Sequence, residues 1–269
     1  MTTHHLTRRT FLGGTLMLGT IAAASGAQIQ GTSDTGTAGK KKLVIGTFIY
    51  PRMDQIDFTG PFAVLSRLPD SELHVMALER GPIKDHKGLV LTPQTTISEA
   101  PPLDVLHIPG GPGQEALMRD ERVLSMIRRH ADQGRLVFSV CTGALLCGAA
   151  GILRGRRATT HWSAFDLLHY FGATPVNARV VVDGNIVTAA GVTAGIDGAL
   201  RLAALLRGDR VAQEIQLDIQ YAPEPPFNAG TPQSAPGEVV DALKERFGPL
   251  TEARRATARA LAAQLGPAG

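Results

Sequence analysis

The sequence predicts an α/β domain built on a mainly parallel sheet with helices on both faces, and three observations carry that prediction. From Leu43 onward, short β-rich apolar runs alternate with helix-period patterns, the order that builds a parallel sheet covered on both sides. Leu136–Val140 is apolar apart from Ser139, as suits a strand buried on two faces. Two of the predicted strands end in turns that carry chemistry: Pro109-Gly110-Gly111 after one, and Cys141-Thr142-Gly143 after the other.

Taken in order, Leu43–Tyr50 is a buried first strand, and Pro61–Leu68 is a short helix opened by a Gly-Pro pair. Leu73–Glu79 is the next strand. A hairpin-like excursion follows over Gly81–Thr92, with Gly88 at its turn. Leu103–Ile108 is the strand that leads into the Gly-Gly loop, and Glu121–Gln133 has the pattern of an amphipathic helix. Leu136–Val140 and Gly143–Ala149 are the strand and helix on either side of Cys141. Ala158–Thr160 reads as a short strand and Ser163–Tyr170 as a helix. Val180–Asp183 and Asn185–Ala189 flank an Asp-Gly turn and form a hairpin. Thr193–Leu206 and Asp209–Gln220 are helices, Pro223–Pro226 and Gly230–Gly237 an extended loop, and residues 238–265 one long Ala- and Arg-rich helix. No internal repeat is visible.

The N-terminal residues belong to a different class of segment. Thr7-Arg8-Arg9-Thr10-Phe11-Leu12 is a twin-arginine pattern, followed by a mildly apolar Gly- and Ala-rich run. Ser25 and Ala27 supply the small residues of a signal-peptidase site. Residues 1–27 are therefore expected to be a twin-arginine export signal, which places the mature protein in the periplasm without stable membrane association. The apolar run is interrupted by Gly13, Gly14 and Gly19 and is short for a membrane span. Residues 28–41 read as a flexible linker, and residues 42–265 as one domain ending in the long helix.

Composition narrows the function. A hydrophobic content of 43% with 19% charged residues suits a globular domain with a full core. The formal net charge of +3 is small and the basic residues are scattered, so no electrostatic footprint for nucleic acid is present. Arg254, Arg255 and Arg259 on the last helix are read as a solvated face with the alanines turned inward. The alternative for them is contact with an acidic partner. The two cysteines, Cys141 and Cys147, lie within one apolar stretch and point in different directions around a helix axis, which disfavours a disulfide. The sequence has no zinc-type ligand spacing, and no cofactor is called for.

Chemistry converges on Cys141. A strand that ends in a Cys and turns at once into a helix lifts the side chain above the sheet, as a nucleophile elbow does. The helix N-terminus would also lower the thiol pKa. Gly143 leaves room for close backbone approach, while Cys147 fits a buried structural thiol. Gly110 and Gly111, together with the Thr142 N–H, are candidates for an anion hole at the carboxyl ends of adjacent strands. Asp57, between Ile56 and Phe58, has two readings: a turn or cap carboxylate, or an acid/base whose pKa rises beside a thiol in a dry pocket. His161, next to Trp162 in Ala158-Thr159-Thr160-His161-Trp162, is either a base or orienter for the nucleophile, or a hydrogen-bonded pocket wall. His86, His107, His130 and His169 read as surface or packing residues.

Several of these segments together resemble a known superfamily. They are Ile56-Asp57-Phe58-Thr59-Gly60-Pro61, Ile108-Pro109-Gly110-Gly111, Ser139-Val140-Cys141-Thr142-Gly143, Ala158-Thr159-Thr160-His161-Trp162, Thr193-Ala194-Gly195-Ile196-Asp197, and Tyr221-Ala222-Pro223 with Pro226-Phe227-Asn228-Ala229-Gly230. Over about residues 43–260 the chain resembles the ThiJ/PfpI superfamily, and within it the isonitrile hydratases. The resemblance implies a flavodoxin-like sandwich, usually a homodimer, acting on a small-molecule substrate. It implies a nucleophile at Cys141, a catalytic carboxylate at Asp57 and a contributing Thr142. Superfamily proteases have His directly after the nucleophile, where this chain has Thr142. Glyoxalase and deglycase members usually have Glu where it has Asp57. The same domain type also occurs fused to a helix-turn-helix module in AraC-type regulators, and no such module is predicted after the long helix here. The rival reading from another class is a ligand- or redox-sensing domain with an oxidisable Cys141.

Overall fold

A computed structural model describes residues 42–265. The proposed export signal and linker lie outside the described residues.

In chain order the strands are β1 (Leu43–Phe48), β2 (Ser71–Ala77), β3 (Ile83–Lys84), β4 (Val90–Leu91), β5 (Thr95–Thr96), β6 (Val105–Ile108), β7 (Leu136–Val140), β8 (Arg157–Ala158), β9 (Thr174–Pro175), β10 (Val180–Asp183) and β11 (Ile186–Ala189). Seven of them form the main sheet in the order β10-β11-β7-β6-β1-β2-β5. All its pairings are parallel except the β10–β11 hairpin at one edge. β3 and β4 form the hairpin excursion around Gly88.

Side-chain alternation along the central strands feeds two separate cores. On β7, Val137 packs into one core while Phe138 and Val140 pack into the other. The first core is closed by helices α3 (Glu121–Asp132) and α4 (Gly143–Ala149) and the 3-10 helix Trp162–Phe171, with Ala258 of α7 (Gly237–Leu265) also buried in it. The second is closed by α1 (Gln55–Leu65), α5 (Ala194–Arg207) and α6 (Asp209–Asp218). This is the flavodoxin-like α/β sandwich.

Three elements differ from the sequence reading. The first helix starts at Gln55, six residues before Pro61. Asp54 caps it by accepting the Ile56 N–H at 3.0 Å, and Asp57 falls in its first turn rather than ahead of it. Pro61 is tolerated inside because Gly60 before it has no Cβ to crowd the ring. The short strand near Ala158 pairs with β9 in a two-stranded sheet of its own and stays out of the main sheet. The segment predicted as an α-helix over Ser163–Tyr170 is a 3-10 helix, closed by Gly172 at φ 70°. The run Leu136–Val140 and the helix Gly143–Ala149 have the boundaries their sequence predicts.

Candidate active site at the ends of two adjacent strands

Parallel pairing of β6 with β7, in the register Ile108↔Ser139, sets the Pro109-Gly110-Gly111 loop beside Cys141. Cys141 adopts φ +56°, a left-handed conformation that costs a residue with a Cβ about 1–2 kcal/mol. The surroundings hold it there. Its N–H donates to the Ala189 carbonyl at 2.9 Å, and its carbonyl accepts the Thr160 hydroxyl at 2.7 Å. Close approach of the backbones needs glycine at two points. A Cβ on Gly143 would lie 2.2 Å from the Ile108 carbonyl oxygen, and one on Gly110 would lie 2.5 Å from the Thr142 nitrogen.

Asp57 is fully buried and faces the same point from α1. Its Oδ2 accepts the Gly110 N–H at 3.0 Å, and its Oδ1 has no hydrogen-bond partner. The Gly111 N–H donates to Thr142 Oγ1 at 3.0 Å. The two glycine amides read from sequence as open donors are therefore committed to Asp57 and Thr142. They tether these side chains, and the Thr142 N–H is the backbone donor directed at the Cys141 sulfur.

The electrostatics of the pair follow from burial. Desolvation pushes the Cys141 thiol well above its ordinary range, with a further push from Asp57; the Thr142 N–H and Arg254 oppose it. The expected lowering by the helix N-terminus does not prevail, because a neighbouring carboxyl and a dry site outweigh one short helix. Desolvation likewise raises the Asp57 carboxyl well above the carboxylate range, helped by Asp54. Hydrogen bonds from Cys141 and Gly110 and the charge of Arg254 act in the other direction. The two groups titrate as a pair.

Arg254 was the residue that sequence reasoning placed wrongly. It is buried rather than solvated, and the alanines beside it at 253 and 256 are the exposed ones. Its Nε donates to Gln114 Oε1 at 3.0 Å, and its Nη2 to the Gly111 carbonyl at 2.9 Å and to Thr142 Oγ1 at 3.3 Å. A signal for this was available. Phe247, Thr251, Arg254, Ala258 and Leu261 share one helical stripe by their spacing of three and four, and that stripe is the buried or half-buried one. Tyr50 was also missed. Its hydroxyl donates to the Pro109 carbonyl at 2.8 Å and props the Gly-Gly loop from beneath.

His161 stands apart from the pair. Its Nδ1 lies 2.9 Å from Ser163 Oγ and accepts the Ser163 N–H, so it caps the 3-10 helix. Burial, with a smaller push from Arg254, brings its pKa down to about 4, and the ring is neutral at neutral pH. His161 and Trp162 pack against Phe247 and line a cavity of about 690 Å³ with Thr160, Val192 and Thr193. This geometry is that of a pocket wall. Cys147 is fully buried and both cysteines are free thiols.

Comparison with known proteins gives a consistent result. Residues 41–205 match the model of the DJ-1/PfpI family. The chain is 48% identical over 223 residues to a protein from Pseudomonas putida named isonitrile hydratase, covering 83% of this chain and 98% of that one. It is 34% identical over 119 residues to a deglycase from Pyrococcus horikoshii, covering 44% of this chain and 72% of the relative. Among solved structures, a THiJ/PfpI family protein from Pseudomonas syringae superposes with a TM-score of 0.79 at 36% identity, covering 87% of this chain and 97% of the other.

Proposed function

From its membership of the DJ-1/PfpI family, we propose that the chain is a cysteine-dependent isonitrile hydratase, adding water to R–N≡C to give an N-substituted formamide. The observation that carries this reading is a thiol and a carboxyl, Cys141 and Asp57, buried side by side, where burial raises both and one proton can be shared between them. An isonitrile carbon accepts a nucleophile only as it gains a proton, so the reaction needs both groups at one atom.

In the proposed cycle the Cys141 sulfur bonds to the isonitrile carbon while Asp57 delivers the shared proton to the same carbon, giving the thioimidate R–N=CH–S–Cys141. Asp57, now ionised, takes a proton from a water that attacks this carbon and passes it to the nitrogen, which leaves Asp57 ionised again. The tetrahedral adduct R–NH–CH(OH)–S–Cys141 then collapses. The C–S bond breaks, the hydroxyl proton returns through Asp57 to the pair, and R–NH–CHO leaves. Thr142 positions the water or Asp57. The close similarity to a named isonitrile hydratase over nearly all of that protein supports the assignment.

The test is formamide production from an alkyl isocyanide, followed by NMR. Cys141→Ala and Asp57→Asn should each lower the rate by about three or more powers of ten, since the two act as one unit. Wild-type turnover in either variant would overturn the scheme.

We further propose that the protein is exported through residues 1–27 and that it is a homodimer, as the twin-arginine pattern and the family resemblance imply. Arg8→Lys with Arg9→Lys should hold it in the cytoplasm, and light scattering should give twice the mass of the mature chain.

A further inference from the structure

Arg254 presents an unusual accounting of charge. Its guanidinium is buried, yet its hydrogen bonds run to neutral acceptors: the Gln114 amide, the Gly111 carbonyl and the Thr142 hydroxyl. A buried cation without a counter-charge is costly, so a negative charge must sit nearby. The groups whose charge favours it are Cys141, Tyr50, Glu115 and Asp57, in that order. Tyr50 stays neutral because burial raises it. Glu115 on α2 (Gln114–Leu117) also lies toward the guanidinium, its carboxylate accepting the Thr257 hydroxyl at 2.7 Å. His161, the other titratable group facing the guanidinium, is neutral, and Asp54 acts on the pair from the cap of α1. Glu115 supplies negative charge from outside the site, and within the site the source is the Cys141–Asp57 pair.

The same side chain constrains Thr142. A hydroxyl oxygen has two acceptor positions and one hydrogen. Both acceptor positions are filled, by the Gly111 N–H at 3.0 Å and by Arg254 Nη2 at 3.3 Å. The hydroxyl hydrogen must therefore donate. The protein acceptor within reach is the Gly111 carbonyl at 3.4 Å, long for an O–H···O bond and already used by Arg254 at 2.9 Å. A reacting nitrogen or water would be the better acceptor.

We propose that Arg254 is a positioning residue of the hydration reaction, the cation that lets the Cys141–Asp57 pair carry one negative charge and the donor that leaves the Thr142 hydroxyl free only to donate to the reacting group. The mechanistic half of this rests on the hydratase reading; the electrostatic half does not. The long C-terminal helix thus contributes to the site, although it begins at Gly237, beyond residue 205 where the match to the family model ends.

Two variants of the full chain test this, Arg254→Met and Arg254→Lys, with two readouts. The first is the rate of Cys141 alkylation by iodoacetamide against pH, located by mass spectrometry and needing no isonitrile. Arg254→Met should move the profile to higher pH and slow alkylation at pH 7 by about tenfold or more. Arg254→Lys keeps the charge and should stay within about threefold of wild type. The second readout is kcat for isocyanide hydration, which Arg254→Lys should still lower by about tenfold, because an ammonium lacks the planar fork that serves Gln114, Gly111 and Thr142 together. A wild-type alkylation profile in folded Arg254→Met would overturn the electrostatic role, and wild-type kcat in Arg254→Lys would overturn the role through Thr142. If Arg254→Met does not fold, an Arg254→Lys alkylation profile moved as far as tenfold would overturn the charge argument. Failure of the wild type to hydrate any isocyanide would overturn the hydratase reading and leave the alkylation result standing.

Discussion

Cys141 carries strain that its side chain alone does not require. At φ +56° the Cβ crowds the backbone, and the penalty is repaid by the Ala189 and Thr160 hydrogen bonds and by the packing of Gly143 on Ile108. Replacing the thiol by hydrogen at two levels separates strain from packing. Cys141→Gly should be more stable than Cys141→Ala by about 1 kcal/mol in urea unfolding, because glycine adopts the left-handed region without crowding. Equal midpoints would mean that the turn is unstrained. A second residue-level expectation concerns Gly110. An added Cβ would lie 2.8 Å from Thr142 Oγ1 and 2.9 Å from Asp57 Oδ2, so Gly110→Ala should displace both and cost about two powers of ten in kcat with the fold retained. Circular dichroism with the formamide assay checks both halves. The place of Cys141 at a strand-to-helix turn was legible in the sequence because an apolar run ends at it and small residues follow. Asp57 read equally as a cap or as an acid until its burial beside Cys141 was seen. The employment of the Gly110 and Gly111 amides was not legible, since the partner of a backbone N–H depends on side chains 31 and 53 residues away.

Elements were readable where one force set them. β7 follows its apolar run, and α4 begins where the small residues begin. The start of α1 was misplaced because Pro61 resembles a first-turn proline, whereas the Asp54 cap decides where the helix begins. α7 was readable as a helix but not as part of the site. Its arginine-rich composition suggests a solvated surface, and only the phase of Phe247, Thr251, Arg254, Ala258 and Leu261 points to a buried stripe. Ala258 is fully buried one turn beyond Arg254, where the helix sits on the first core. Ala258→Leu should overpack this seat at a cost of about 1–3 kcal/mol and lift the Arg254 end of the helix from Gln114. The denaturation midpoint and kcat should fall together. A lower midpoint with unchanged kcat would show that α7 supports the fold without supporting the site.

At the scale of the whole molecule, the two cores meet at a sheet that buries titratable groups as well as apolar ones, and stability should therefore depend on pH in a definite direction. His107 on β6 is fully buried, stacked on Phe138 at 5.0 Å, with Nδ1 3.3 Å from Thr47 Oγ1. Its Nε2 is directed at the Asp57 carbonyl, which Pro61 leaves without a helical donor, too loosely for a full hydrogen bond. Burial lowers its pKa from 6.5 to about 3. Because the folded value lies below the unfolded one, the unfolded chain takes up a proton as pH falls below 6.5 while the folded chain does not. Stability is lost across the window from 6.5 to about 3, with a slope of up to about 1.4 kcal/mol per pH unit. His161 adds a second loss between 6.5 and about 4. Asp57 acts oppositely: its raised pKa makes the folded state take a proton first, so its contribution grows as pH falls toward the ordinary carboxylate range. The difference between wild type and His107→Asn removes the Asp57 and His161 contributions common to both. Urea unfolding from pH 8 to pH 4 should show the two proteins running parallel above pH 7 and the variant losing less stability below 6.5. Parallel curves throughout would mean that His107 is protonated in the fold, and that an acceptor within the sheet, the Asp57 carbonyl first among them, stabilises its charge.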